Sequence, residues 1–194
     1  MEDKSTSVEE RIVLATIECI ERYGMAGATN REIAKIAGVN SAAINYYFRS
    51  KEALIHRCMA ITLKNAFDLR GMPAMPGLDA PERCIAILLD LIQGGLNYPG
   101  LTRAHFYGLL VAGQDDVLLE AALNGFIDDL ADDLAGRGAA LPPGELRGAL
   151  VQIVSAALLG ILAPALFARQ EGAALRDATA REAYVRRLAA RLLA

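Results

Sequence analysis

Residues 29 to 54, TNREIAKIAGVNSAAINYYFRSKEAL, constrain the fold more than any other stretch of this chain. Thr29 followed three residues later by Glu32 has the form of a capping box, in which hydroxyl and carboxylate satisfy orphan backbone donors, so a helix is expected to start at residue 30. Ile33, Ala34, Ile36 and Ala37 give that helix an apolar face, and Gly38 stands where φ must turn positive to stop it. Val39 plugs the turn. Asn40 or Ser41 can cap a second short helix, in which Ala43, Ile44, Tyr47 and Phe48 are expected to face inward and Ser41, Ala42, Asn45 and Tyr46 outward. Small outward residues let a helix approach base edges, and Asn, Ser and Tyr supply hydrogen-bonding groups for bases and phosphates. Arg49, Ser50 and Lys51 then place a cation and a helix N-terminus beside that face, both suited to a phosphate.

The local charge agrees. Between residues 22 and 57 six cations (Arg22, Arg31, Lys35, Arg49, Lys51, Arg57) face two anions (Glu32, Glu52), although the whole chain carries a net charge of −3. The basic footprint expected of a nucleic-acid reader is confined to this module.

The pattern T-x-R-E-I-A-x-x-A-G-V-N-x-x-x-I-x-Y-Y-F-x-S-K-E-A-L resembles the N-terminal domain of the TetR family of bacterial transcriptional repressors. The resemblance extends upstream through Arg11-Ile12 and Ala15 to Tyr23-Gly24 and covers roughly residues 8 to 57; beyond that only the architecture is similar. It implies that Thr29, Tyr46, Tyr47 and Lys51 contact phosphates, and that Ser41, Ala42, Ala43 and Asn45 lie nearest the bases; Arg31 is expected beside them as a DNA-facing cation, the alternative being a simply solvated one. One position departs: the family usually carries Tyr directly after the apolar residue of its recognition helix, where this chain has Asn45, with Tyr at 46. Without the resemblance, a Gly-Val turn and a Tyr-Tyr-Phe run are equally compatible with ordinary helical packing.

With 54% hydrophobic residues, 6% aromatic and no Trp, the 194-residue chain suits aliphatic helix packing in one large or two small domains. Ala and Leu dominate and apolar spacings of three and four recur, so the expected class is all-α with about nine helices. The expected division is a three-helix DNA-binding domain over residues 8–57 and a larger effector-binding and dimerisation domain over 58–194. MEDKSTSVEE has neither a basic n-region nor an apolar h-region, which points to a cytoplasmic protein.

Helix boundaries in the second part follow the breakers. A fourth helix is expected from Lys51 to about Arg70, ending at GMPAMPGL (71–78), and a fifth from Asp79 and Glu82 to about Leu96. A sixth spans about Thr102 to Ala112, a seventh about Asp115 to Gly136, and an eighth Glu145 to about Gln170. The ninth opens with a capping box from Thr179 to Glu182. Leu119, Leu123, Phe126, Ile127, Leu130 and Leu134 form an apolar stripe on the seventh, and Asp128, Asp129, Asp132 and Asp133 a solvated opposite face.

Chemistry beyond binding is not apparent. No nucleophile, base and orienting acid form a recognisable motif, and no phosphate-binding Gly loop appears, so an enzyme is not expected. Cys19, Cys58 and Cys84 are too few and too scattered for a disulfide framework or zinc site, and Cys19 is expected on an apolar face with Ile12, Ala15 and Tyr23. No metal and no cofactor is expected. Polar residues scattered through the apolar middle helices, Gln93, Asn97, Tyr98, Arg103, His105, Tyr107 and Asn124, suit a cavity for a mostly apolar small molecule, and equally suit ordinary helix-surface positions.

Gly148 to Ala168, GALVQIVSAALLGILAPALFA, is a charge-free run of 21 residues long enough to span a bilayer. Ala156, Gly160 and Pro164 recur at intervals of four along it, and a small-residue face of this kind also serves protein partners. The expectation is a homodimer interface that pairs this helix and the ninth, with Tyr184 and Leu188, against their two-fold mates. The resulting reading is a homodimeric repressor of a palindromic double-stranded DNA operator, released by a small-molecule effector. The alternatives are a helical membrane-associated protein and an adaptor without DNA binding.

Overall fold

In the computed structural model, residues 7–69, 75–112, 116–166, 169–170 and 175–193 are described. Among them are nine α-helices, one π-helical turn and no strand: α1 (Val8–Gly27), α2 (Asn30–Ala37), α3 (Ser41–Phe48), α4 (Lys51–Phe67), α5 (Ala80–Asn97), α6 (Pro99–His105), the π-turn (Gly108–Ala112), α7 (Val117–Gly136), α8 (Pro143–Leu162) and α9 (Ala178–Leu192). The fold is all-α. The expected starts and ends that fall near Arg70, at 71–74 and near Asp115 lie outside the described residues.

The chain divides into two compact units. The first comprises the described residues of Met1–Lys64 together with Gly100–Asp116, and the second those of Asn65–Pro99 and Val117–Ala194. The first unit therefore takes in most of α4 and, after an excursion of the chain, nearly all of α6.

Helix ends follow local chemistry. Ser7 caps α1 through a complete capping box, its Oγ accepting from Glu10 N at 3.1 Å while its own N–H donates to Glu10 Oε2 at 2.8 Å. Gly24, at φ 70° and ψ 178°, ends the regular part of α1. Helix α6 starts at Pro99, earlier than expected, because proline is pre-organised for the first helical position and lacks only an N–H that would be an orphan there. Helix α8 stops at Leu162 and not near Gln170. Pro164 disfavours helical backbone at the residue before it, and Ala163 accordingly sits at φ −131° and ψ 59°. The cap of α9 is Asp177, whose carboxylate accepts from Ala180 N at 2.8 Å, and not Thr179.

In the second unit α5 supplies the core with Cys84, Ile85, Leu88 and Ile92, α7 with Phe126, Leu130 and Leu134, and α8 with Leu150, Ile153 and Val154, while α9 closes it with Val185 and Ala189. Phe126 is buried against the ring of Phe67, centroids 5.2 Å apart; each large side chain of this kind contributes roughly 1.5–3 kcal/mol on burial. On the α7 stripe Leu123 and Ile127 are only half-buried. The aspartates opposite are not merely solvated: Arg147 of α8 reaches Asp128 at 2.8 Å and Asp132 at 3.1 Å, and Asp133 joins the buried Arg83 at 3.0 Å to Arg137 at 3.1 Å.

Helix α8 is, among the described residues, the one single helix long and apolar enough to cross a membrane. One face of it is core. The other exposes Gly148, Val151, Gln152, Ser155 and Leu159, spaced three and four apart.

Candidate nucleic-acid interface

The helix-turn-helix is held by backbone chemistry that its residue types dictate. Thr29 Oγ1 accepts from Glu32 N at 3.3 Å, but the reciprocal half of the expected capping box is not formed: Thr29 N donates to Gly27 O at 2.8 Å instead. Glu32 turns to Lys35 at 4.0 Å. Gly38 adopts φ 63° and ψ 40°, its N–H returning to Lys35 O and that of Val39 to Ala34 O, the double bond that closes a helix C-terminus. Arg11 of α1 adds a fork to the same place, Nε to Ala37 O at 3.2 Å and Nη2 to Gly38 O at 3.3 Å. A cation there satisfies the carbonyls and complements the negative end of α2. Asn40 caps α3, accepting from Ala42 N at 2.9 Å.

Ile44 and Phe48, one turn apart, are the buried side chains of α3. Ser41, Ala42, Asn45 and Tyr46 are exposed, Tyr46 at 81%, and Ala43 is half-buried. Tyr47 was expected inward and is exposed at 42%: in an eight-residue helix Ile44 and Phe48 already fill the contact, and the Tyr47 ring packs edge-on against Tyr46 at 5.1 Å. Tyr23 of α1 is likewise exposed, at 53%, whereas Ile12, Ala15 and Cys19 beside it are buried. Thr29 and Arg31 are exposed and Lys51 half-buried, so the nine residues assigned to DNA lie on α2, α3, their caps and the start of α4. An open groove between α2 and α3 is lined by Arg31, Lys35, Ser41, Ala42 and Asn45.

Arg49 joins α3 to α4 in a γ-turn, at φ 64° and ψ −40°, with Ser50 N donating to Phe48 O at 2.7 Å. This backbone region is strained for a residue with a Cβ. Ser50 Oγ then accepts from Ala53 N at 3.1 Å, and the Glu52 carboxyl is held below its usual range first by a backbone N–H and then by Ser50. The α4 N-terminus is thus partly self-capped, and Lys51 carries the cationic contribution. Arg57 ties α4 back, pairing with Glu9 at 2.8 Å and lying 5.9 Å over the Phe48 ring.

Sequence reasoning did not foresee the contribution of α6 to this unit. Gly100 packs so closely on α1 that a Cβ would overlap the Glu21 carbonyl oxygen, and Glu21 Oε2 accepts from Leu101 N at 2.8 Å, capping α6 from another helix. His105 Nε2 meets Thr62 Oγ1 of α4 at 3.0 Å, and burial pushes its pKa down to about 4, so the ring is neutral at pH 7. Burial likewise pushes the Cys58 thiol up to about 11 and that of Cys84 up to about 12, leaving both as packing groups.

The residues expected around an effector are distributed over both units. Arg103, His105 and Tyr107 belong to the first unit, and Gln93, Asn97, Tyr98 and Asn124 to the second. Gln93 lines a cavity, with its Nε2 donating to Asn97 Oδ1 at 2.7 Å; Asn124 turns back to Glu120 O at 2.9 Å. Of the expected dimer residues, Ala156, Gly160, Pro164, Tyr184 and Leu188 are all half-buried, and Gly160 is covered by Leu175 of its own chain.

Fold and interface define a helix-turn-helix protein with a second helical unit. Residues 12–58 match the family described as "Bacterial regulatory proteins, tetR family". Over 80 residues the chain is 32% identical to the HTH-type transcriptional regulator BetI 1 of Chromohalobacter salexigens and 35% identical to BetI of Escherichia coli (strain K12 / DH10B), covering 41% and 40% of this chain. The match spans about two fifths of the length of these curated relatives, 40% and 41%. Solved structures align over nearly the whole chain: a TetR transcriptional regulator from Legionella pneumophila (TM-score 0.69, 19% identity, 98% of this chain and 100% of that one), and the multidrug binding protein EbrR complexed with imidazole (TM-score 0.64, 19% identity, 97% and 96%). Residues 12–58 thus match the N-terminal domain of the TetR family, and the fold of the described residues is that of the solved TetR regulators. The proteins matched over this domain are regulators of transcription.

Proposed function

We propose that this chain is a ligand-responsive repressor that binds a palindromic DNA operator as a homodimer in the cytoplasm and is released by a mostly apolar small molecule. Residues 8–57 read the DNA and 58–194 carry effector binding and dimerisation. The observation that carries the reading is the outward face of α3: Ser41, Ala42, Asn45 and Tyr46 are exposed together on a helix whose Ile44 and Phe48 anchor it, beside the cations Arg31, Lys35 and Lys51. Asn45 reads a base edge, while Thr29, Tyr46, Tyr47 and Lys51 position the backbone.

The exposed stripe of α8, Gly148, Val151, Gln152, Ser155 and Leu159, supports pairing with a second copy, with Ala156, Gly160, Pro164, Tyr184 and Leu188 at its margin. Release is a population shift: the effector binds better to a state whose two recognition helices are wrongly spaced for the operator, and DNA affinity falls reciprocally. Two levers reach the reader, α4 and, through Glu21 and Gly100, α6.

The test is DNA binding by two variants against salt and sequence. Lys51→Ala should weaken all sequences about equally and lower the salt slope by roughly one, whereas Asn45→Ala should relax preference at one base pair. Equal, sequence-independent losses would remove this division of labour. Sedimentation of Leu159→Arg should give a monomer with the reader still folded; an unchanged dimer would put the interface elsewhere.

A further inference from the structure

An open groove of about 730 Å³ runs between α2 and α3 in the first unit. Arg31 and Lys35, one turn apart, stand on its α2 wall, and Ser41, Ala42 and Asn45 on its α3 wall. All five are exposed, but they differ in what they already hold. Lys35 lies 4.0 Å from Glu32 of its own helix. The Arg31 guanidinium and the Asn45 amide have no hydrogen-bond or ion-pair partner among the described residues, so the donors of the first and both the donor and acceptor ends of the second are unspent. The place of Arg31 is also a poor one for folding. It stands in the first turn of α2, where the positive end of the helix dipole favours an anion such as Glu32. A cation that breaks this local rule without a partner in its own chain marks a group kept for something outside it. Ser41 and Ala42 are short, so α3 leaves the groove open to a long side chain arriving from α2.

We propose that Arg31 reads a guanine through its O6 and N7, and Asn45 an adenine through its N6 and N7, side by side in one major groove. The guanidinium fork donates to both guanine acceptors, while the Asn45 amide accepts from the adenine N6 amine and donates to N7. A groove of about 730 Å³ is roughly 9 Å across and bases rise about 3.4 Å along a strand, so the two bases fall within about three base pairs of each other. Thr29, Tyr46, Tyr47 and Lys51, to which the phosphates are assigned, do not line this groove. The proposal rests on the reading of the chain as a DNA-binding regulator and adds the base content of its site.

The experiment selects duplexes from a randomised library with the full-length protein and with Arg31→Gln, Arg31→Ala and Asn45→Ala, then titrates the enriched duplex and its single-base-pair variants against salt. The wild type should enrich a guanine and an adenine within about three base pairs, and should lose about fivefold to a hundredfold in affinity when either pair is changed. Arg31→Gln should exchange the guanine for an adenine, because a glutamine amide matches adenine N6 and N7. Arg31→Ala should accept any base there, with the salt slope unchanged in both variants. Asn45→Ala should relax the adenine alone. Circular dichroism should match the wild type throughout, since neither side chain holds a partner. A guanine preference that survives Arg31→Ala overturns the proposal, and so does a loss equal for all sequences with a salt slope lowered by about one, the mark of a phosphate contact. An enriched site without this guanine and adenine overturns it too and leaves the regulator standing. Equal binding of the wild type to every duplex overturns both the base assignment and the reading beneath it.

Discussion

Gly100→Ala sets two physical effects of opposite sign against each other. Gly100 lies in the first turn of α6, where replacing glycine by alanine would gain at most about 1 kcal/mol of helix propensity. The added Cβ, however, would overlap the carbonyl oxygen of Glu21 and stand 2.8 Å from its carbon and 2.9 Å from its Cα. All three are backbone atoms of α1 and cannot rotate away. Restoring an ordinary contact of roughly 3.5–4 Å with that oxygen needs α6 to move off α1 by about 1.5 Å. That stretches the Leu101 N–H to Glu21 carboxylate bond from 2.8 Å to beyond hydrogen-bonding range. Overpacking costs roughly 1–3 kcal/mol and a lost hydrogen bond to a charged acceptor roughly 1.5–3 kcal/mol. After the propensity gain the net destabilisation should be about 1.5–5 kcal/mol, a large part of the stability of a typical domain. Urea unfolding followed by circular dichroism measures it, and amide exchange should show the loss in α1 and α6. Glu21→Gln, which keeps the bulk and removes the charge, should cost about half as much. A Gly100→Ala protein as stable as the wild type, or more so, would refute the close packing of α6 on α1.

The Arg49 γ-turn yields a second expectation: Arg49→Gly should raise stability by about 0.5–1 kcal/mol by relieving a positive φ, while leaving the salt slope of DNA binding, carried by Lys51, unchanged. Chemical denaturation and salt-dependent DNA titration separate the two effects, and a destabilised variant would contradict the strain. His105 supplies the third. Its folded pKa, about 4, lies below the ordinary 6.5 because of burial, against an opposing pull from Asp116, so the unfolded chain takes up the proton first as pH falls. Its contribution is complete above pH 6.5 and is lost between 6.5 and 4, by up to about 3 kcal/mol. Stability measured across that window should flatten in His105→Gln, and a slope unchanged by the substitution would assign the acid sensitivity elsewhere.

What could be read from the sequence was chemistry that acts within one turn of helix. Gly38 at positive φ, Asn40 and Asp79 as caps, and the burial of Ile44 and Phe48 all follow from residue type and spacing. Competing local solutions were not separable in that way. Asp177 and Thr179 are both good caps, and Asp177 prevails where Arg181 bonds the Leu175 carbonyl and Leu175 covers Gly160. Thr29 keeps only half of its box because Gly27 takes its N–H. Contacts between segments distant in sequence were hidden altogether: the Arg11 fork on α2, the Arg147 clamp on two aspartates, and Glu21 capping α6 across 80 residues have no periodic signature. The same blindness left α6 out of the first unit.

Because Gly100–Asp116 join the first unit only after the 35 residues from Asn65 to Pro99, the order of synthesis matters. At roughly 5–20 residues per second a ribosome needs about 2–7 s to make that stretch, whereas small helical units fold in microseconds to milliseconds. Helices α1 to α3 therefore assemble on the nascent chain and wait, with the Glu21 carboxylate and the surface meant for Gly100 exposed to solvent and to chaperones. Slow translation between residues 65 and 99 lengthens that wait, and a chain released early leaves the ribosome with α1 still missing its last neighbour.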